Sequence, residues 1–356
     1  MKTFIKLILL VLLLISADSY AANYYISHGG ISDHSNVATN GSIAWYFANY
    51  GSSGNVFYLN SSADYVIGNP ITIPAGCTLD TTVGKNSRIV AGNGNDDEVM
   101  IYVNNNTAIY DLEIFGNFKA RHCICATAKT GITIDNVTIH KTKNNYTSGD
   151  PHPHLIYLTD CETIWITNCL LRRAGCNPKV NSTSWNGEAD LIRAAGSYGL
   201  NVRYNDMAYA LCAGVNMGQS NQSSVIGNII TDVGQNFLYD PDFHCSDGVT
   251  AYHNLSADGG TGGPYTIRDN TIDDSGNHGI HVSGHDIKIE DNGVTDCDNR
   301  SIYVGDYKTP HECSYNITVT GNYVTESMKF EYYQSPLTRS GNTGNMDVIW
   351  GETCTP

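Results

Sequence analysis

Between Thr266 and Asp306 the chain writes one pattern twice: TIRDNTI and HGIHVSG, then KIEDNGV and RSIYVGD. Within each segment apolar and polar residues alternate, the period-2 spacing of a strand with one buried face. Each unit therefore predicts a strand, a break at an Asn, a second strand, a loop and a third strand. Asn tolerates the left-handed backbone that β-branched neighbours refuse, so a sharp bend is expected there. Repeats of about 20–40 residues built of strands, with no helix between them, predict a β-solenoid.

The unit recurs from Thr107 onward. The bend residue stands as Asn136 in TIDNVTI, Asn168 in WITNCLL, Asn205 in VRYNDMA and Asn228 in VIGNIIT, then as Asn270, Asn292 and Asn322. Asp111 takes the place in the earliest coil. Stacked bends predict one ladder of seven Asn amides, structural rather than chemical, at about 1 kcal/mol net per hydrogen bond. The shortest intervals, 228 from 205 and 292 from 270, are the bare coil; longer ones contain loops. These insertions fall mainly before the third strand (141–153, 172–189, 232–246) and after it (254–263, 307–313). They gather on one side of a solenoid, the side that ordinarily binds.

Upstream, Asn23 to Ser27 reads as a first strand and Ile43 to Tyr50 as a short amphipathic helix that covers the open end of the solenoid. Val56 to Leu59, Ile71 to Ile73 and Cys77 to Leu79 begin the winding. Residues 1–21 read as a secretory signal peptide: Lys2 and Lys6, an apolar run from Leu7 to Ile15 too short to span a membrane, and Ser19-Tyr20-Ala21 as a cleavage site. One domain is expected over 22–356, with an N-terminal cap to about 75, coils over about 76–335 and a C-terminal cap after them. The protein is expected to be exported, without a membrane anchor, and monomeric.

Composition narrows the partners. The 356-residue chain carries 20 basic and 35 acidic residues; without Lys2, Lys6 and Asp18 the balance is 18 to 34, a net charge of −16. That argues against nucleic acid or an anionic membrane, though a local basic groove can still meet an acidic polysaccharide. Eleven cysteines in an exported chain predict disulfides, with Cys169–Cys176 and Cys297–Cys313 the preferred local pairs. Walker, dinucleotide, Gly-x-Ser-x-Gly and zinc-protease motifs are missing, so nucleotide chemistry and serine hydrolysis are poor candidates.

The unit, repeated roughly eight times after a capping helix, resembles the right-handed parallel β-helix of the pectate-lyase-like superfamily. The resemblance implies an all-β fold and a substrate lying along the outer face of the third strands. It leaves function open, since that superfamily includes lyases, hydrolases, epimerases and tailspikes. Asp150-Pro151-His152 is similar to the Asp-Pro-His of alginate C5-epimerases, but stands in the loop ahead of the strand and continues as Pro153-His154.

Aligning third strands on their inward residues (Ile124, Ile156, Ile192, Val215, Val249, Ile280, Ile302) gives an outward column of Cys125, Tyr157, Arg193, Asn216, Thr250, His281 and Tyr303. Two residues before the inward position stand His122, His154, Asp190, Ala213, Asp247, His278 and Arg300. These are residues of acid–base chemistry and sugar recognition. With coils about 4.8 Å apart, Arg193 and His281 lie about 14 Å from each other. Two clusters are therefore expected on one groove. His154, Tyr157, Asp190, Arg193 and Asn216, with Tyr252, would bind substrate. Asp247, His278, His281, Arg300 and Tyr303 would carry the chemistry. For β-elimination on a uronate, His281 and Tyr303 would be base and acid, and Arg300 or His278 would face the carboxylate. Alternatives are inverting hydrolysis by Asp190 and Asp247, about 9.6 Å apart before side-chain reach, C5 epimerisation, and carbohydrate binding without catalysis. Asp240 and Asp242 offer oxygens for Ca²⁺, the one cofactor the sequence suggests.

Overall fold

The computed structural model describes residues 21–95, 98–143, 152–175, 189–234, 247–251, 262–305, 314–331, 333, 336–345 and 347–350. Tyr252, Asp240, Asp242, Asp150, Pro151 and the N-terminal segment 1–20 lie outside them. Among the described residues the strands form three sheets of twelve, eleven and eleven strands; Asn23–Ile26 pairs with the next strand, Val56–Leu59, and from there on each strand pairs with the strand three places on. All pairings are parallel, as in Thr130–Asp135 on Glu162–Thr167, Thr138–His140 on Leu170–Ala174 and His154–Thr159 on Ile192–Ala195. First strands stack only on first strands, second on second and third on third, the arrangement of a parallel β-helix.

The predicted register of the third strands holds. Ile124, Ile156, Ile192, Val215, Val249, Ile280 and Ile302 pair in one column that continues to Met328. All are fully buried. β-Branched side chains suit this stack because they fill the pleat and have little rotamer freedom to lose.

The helix spans Ile43–Tyr50, capped by Ser42, whose hydroxyl accepts from the Trp45 amide at 3.0 Å. Its buried face, Ile43 and Phe47, meets the first coil, with Phe47 and Phe57 edge to face at 5.0 Å between ring centroids. At the other end, strands Leu337–Ser340, Thr343–Gly344 and Val348–Trp350 carry the pairing of all three sheets on to Trp350.

The Asn ladder corrects the expected one. Asn205, Asn228, Asn270, Asn292 and Asn322 are buried and linked, each giving its backbone and side-chain N–H to the next amide oxygen at 2.9–3.0 Å. The ladder ends on Asn342. None of these residues carries the left-handed bend, which sits one place earlier at Tyr204, Gly227, Asp269, Asp291, Gly321 and Gly341. Asn136 and Asn168, with Asp111, are themselves left-handed residues (φ 54°, 53° and 52°), and the inward place beside them holds Val137, Cys169 and Leu112. Two positions had been merged: one needs an amide that can give and accept, the other only a tolerated positive φ.

The disulfide expectation is not met at Cys169 or Cys297, which are buried free thiols; Cys176 and Cys313 lie outside the described residues. The Cys169 thiol donates instead to the Thr167 carbonyl at 3.1 Å.

Candidate functional site

The outward column of the third-strand sheet pairs in register as Tyr102, Cys125, Tyr157, Arg193, Asn216, Thr250, His281, Tyr303 and Lys329. It is open at its ends and covered in the middle. Tyr102 is 37% exposed, and the Arg193 and Lys329 side chains 22% and 26%. Asn216, Thr250, His281 and Tyr303 are buried. Tyr102 and Lys329 escape a sequence reading that stops at Cys125 and Tyr303; carrying the same column one coil further each way finds both. Burial pushes the Cys125 thiol up to about 11, which removes it as a nucleophile.

The second column is a ladder of its own. The His154 amide donates to His122 Nδ1 at 3.2 Å and the Asp190 amide to His154 Nδ1 at 3.0 Å. Asp190 Oδ1 accepts from the Ala213 amide at 2.9 Å, and Asp247 Oδ1 from the His278 amide at 3.0 Å. His and Asp fill this column because each presents an acceptor at the δ position, at equal reach from the backbone. A ring nitrogen that accepts an amide proton cannot also donate, so the 3.6 Å approach of His154 Nδ1 to Asp190 Oδ2 is not an ion pair. Burial lowers both histidines, His122 to about 3 and His154 well below its usual value. Both rings are therefore neutral, and with Tyr157 they form a stack at 4.8–5.4 Å. Asp190 Oδ2 also takes Arg193 Nη1 at 3.4 Å and Asn216 Nδ2 at 3.3 Å, so the described members of the predicted binding cluster form one connected unit.

The predicted catalytic cluster is equally connected. Asp247, fully buried, faces His278 Nδ1 through Oδ1 at 3.0 Å and His281 Nδ1 through Oδ2 at 3.3 Å. Burial alone would raise its pKa, but the bonds from His278 and His281 hold it well below the usual carboxylate range. The Tyr303 ring stacks on His281 at 4.8 Å and on His278 at 5.1 Å, and its hydroxyl donates to Glu331 Oε2 at 2.9 Å. Arg300 pairs in register with His278 but turns its guanidinium to the Asn299 carbonyl at 2.7 Å.

Proton positions follow from Asp247. Its carboxylate only accepts, so Asn277 must present Nδ2 to it, at 3.1 Å. Asn277 Oδ1 then accepts from Asn299 Nδ2 at 3.1 Å, and the same Nδ2 faces His278 Nε2 at 3.3 Å. His278 Nε2 is thereby an acceptor and Nδ1 carries the proton given to Asp247. The ring is neutral, consistent with a pKa lowered by burial and only partly restored by Asp247. Asp247, His278 and His281 each bring a ligand atom within 4.8 Å of the others, the spacing of a metal site. In the metal-free arrangement His278 Nδ1 carries a proton, which a bound metal would displace. Calcium fits worse, since it takes about six to eight oxygen ligands.

No family model matches the chain, and no curated protein does. Solved structures do. The pectate lyase Pel9A superposes with a TM-score of 0.62 at 14% identity, over 94% of this chain and 83% of that one. The Dettilon tailspike protein gives 0.60 at 12%, over 92% and 68%. PfbA, a surface adhesin of Streptococcus pneumoniae, gives 0.59 at 12%, over 92% and 93%. The chain shares with these structures the right-handed parallel β-helix fold.

Proposed function

We propose that this β-helix is an exported protein that binds a uronate-containing polysaccharide along its third-strand sheet and cleaves it by β-elimination. The observation that carries the reading is the in-register outward column, with aromatics and cations at its open ends and the Asp247–His278–His281–Tyr303 cluster between them. Tyr157 and Tyr102 offer faces on which a sugar ring stacks, and Arg193, held by Asp190, offers a guanidinium to a carboxylate. The Thr250 hydroxyl lies between Asn216 and His281 in the same column, buried and with no hydrogen-bond partner among the described residues. A sugar hydroxyl brought to it would satisfy it.

Inverting hydrolysis fits less well. It needs a carboxylic acid with a raised pKa, and Asp247 is shifted the other way. Incubation with a panel of polyuronates in heavy water separates the readings. Product absorbing in the ultraviolet marks elimination, new reducing ends without it mark hydrolysis, and deuterium at C5 without cleavage marks epimerisation. Binding with none of these refutes catalysis. Arg193→Ala is expected to raise KM about tenfold, the worth of one charge-assisted contact, with kcat little changed.

A further inference from the structure

Both groups first read as base and acid are hydrogen-bonded as donors, and that decides their order. His281 Nδ1 faces Asp247 Oδ2 at 3.3 Å and Nε2 faces the Gly305 carbonyl at 3.2 Å. Neither partner can give a proton, so a ring nitrogen that bonds either one donates to it. A nitrogen held this way offers a proton rather than a lone pair. Tyr303 differs, because its hydroxyl donates to a carboxylate, a group that can take the proton over. Lys329 Nζ stands 2.5 Å from the same Glu331 oxygen and 5.3 Å from the centroid of the Tyr303 ring. That cation opposes a lasting proton on Glu331 and offsets negative charge developing on the phenol, so the carboxylate passes the proton on rather than storing it. Glu331 and Lys329 keep 19% and 26% of their side chains exposed, so a proton leaving Tyr303 has a route to water. Gly305 makes room for the phenol: a Cβ there would sit 3.1 Å from the Tyr303 hydroxyl.

We propose that Glu331 is the proton acceptor behind Tyr303, so that the phenol oxygen is the base of the elimination and His281 the acid. The inference rests on the β-elimination reading. In the step, the uronate C5–H bond breaks and its proton goes to the Tyr303 oxygen as the phenol's own proton passes to Glu331 Oε2. The C5–H electron pair becomes the C4=C5 double bond, the C4–O bond breaks, and the leaving oxygen takes a proton from His281. Glu331 then gives its proton to water and His281 recovers one, restoring the starting state. Glu331 touches no substrate; it positions the phenol and drains it.

The test uses the full chain with Glu331→Gln, which keeps the size and a hydrogen bond but cannot hold the proton. Expected are a fall in kcat of about 100-fold or more with KM within threefold, the scale of a lost general base. An alkaline tyrosine titration, taken as the difference from Tyr303→Phe, should move to lower pH in E331Q, because the neighbouring negative charge is gone. That readout needs no substrate and would not move if Glu331 were merely packing. Product formed by the wild type and equally by E331Q overturns the role of Glu331 alone. An unmoved titration overturns the Tyr303–Glu331 coupling. Absence of unsaturated product from the wild type on every polyuronate overturns the elimination reading, and the role with it.

Discussion

Asn270 lies in the middle of the ladder, and Asn270→Ala measures what the ladder contributes. Its Oδ1 accepts from Asn228 N and Nδ2, both at 3.0 Å; its Nδ2 donates to the Val225 carbonyl and to Asn292 Oδ1, both at 2.9 Å. Truncation removes four bonds but strands fewer groups. Asn228 Nδ2 keeps the Val202 and Ile226 carbonyls, and Asn292 Oδ1 keeps the Asn270 amide. The Asn228 amide loses its Asn270 partner, whereas the Val225 carbonyl stays in the parallel pairing of Ser223–Ile226 on Tyr265–Arg268. At about 1–3 kcal/mol for a stranded buried amide, the cost is about 1–3 kcal/mol. Asn270→Leu should recover little of it, although Leu112 is accepted at the matching inward place, because the stranded amide remains. Asn342→Ala, at the half-exposed end of the ladder, should cost about 1 kcal/mol. Urea midpoints give the global effect. Hydrogen exchange at the Asn228 amide gives the local one, which matters because solenoid coils open in units. An N270A protein within 1 kcal/mol of wild type, its Asn228 amide still protected, refutes the reasoning.

Four more outcomes are expected. His34 is fully buried, neither ring nitrogen has a partner among the described residues, and burial holds its pKa at about 4 against 6.5. The unfolded chain takes that proton first, so stability is complete above pH 6.5 and falls as pH drops towards 4. The loss reaches about 3 kcal/mol, and His34→Phe should abolish this part of the acid dependence in thermal unfolding followed against pH. Asp247→Asn replaces the acceptor of four hydrogen bonds by an amide and should cost about 3–5 kcal/mol; a thermal midpoint unchanged from wild type would refute the wiring. Tyr303→Phe should keep the circular dichroism spectrum and lose the unsaturated product. Trp165→Ala, on the first-strand sheet beneath the Arg203 guanidinium, should leave that product unchanged; a drop would move the site off the third-strand sheet.

What the sequence made legible was whatever repeats. The inward Ile and Val column and the partners of every outward residue from Cys125 to Tyr303 are set by a period of two within strands and one coil between them, and both were read from the residue pattern. The helix Ile43–Tyr50 was legible because its caps and apolar face are local. The ladder was misread by one residue at Asn136 and Asn168, since one residue type serves two positions and the pattern around them does not tell left-handed φ from buried amide. The second column also carries a role that residue type did not announce. His122, His154, Asp190 and Asp247 look like chemistry, and in three dimensions each accepts the backbone amide of the coil above.

Exposure was the part no period could supply. Alternation says that a side chain points out of a coil; it does not say whether water reaches it. So Asn216, Thr250, His281 and Tyr303 point outward and are nonetheless buried. Burial changes what these groups can do. In water, His281 and Tyr303 would be an interchangeable base and acid. Behind a cover, each is defined by the partner it holds: Asp247 and Gly305 make His281 a donor, and Glu331 makes Tyr303 a donor with somewhere for its proton to go. The column therefore has to be read with its next coil included, and it is that coil, carrying Lys329 and Glu331, that gives the two residues different roles.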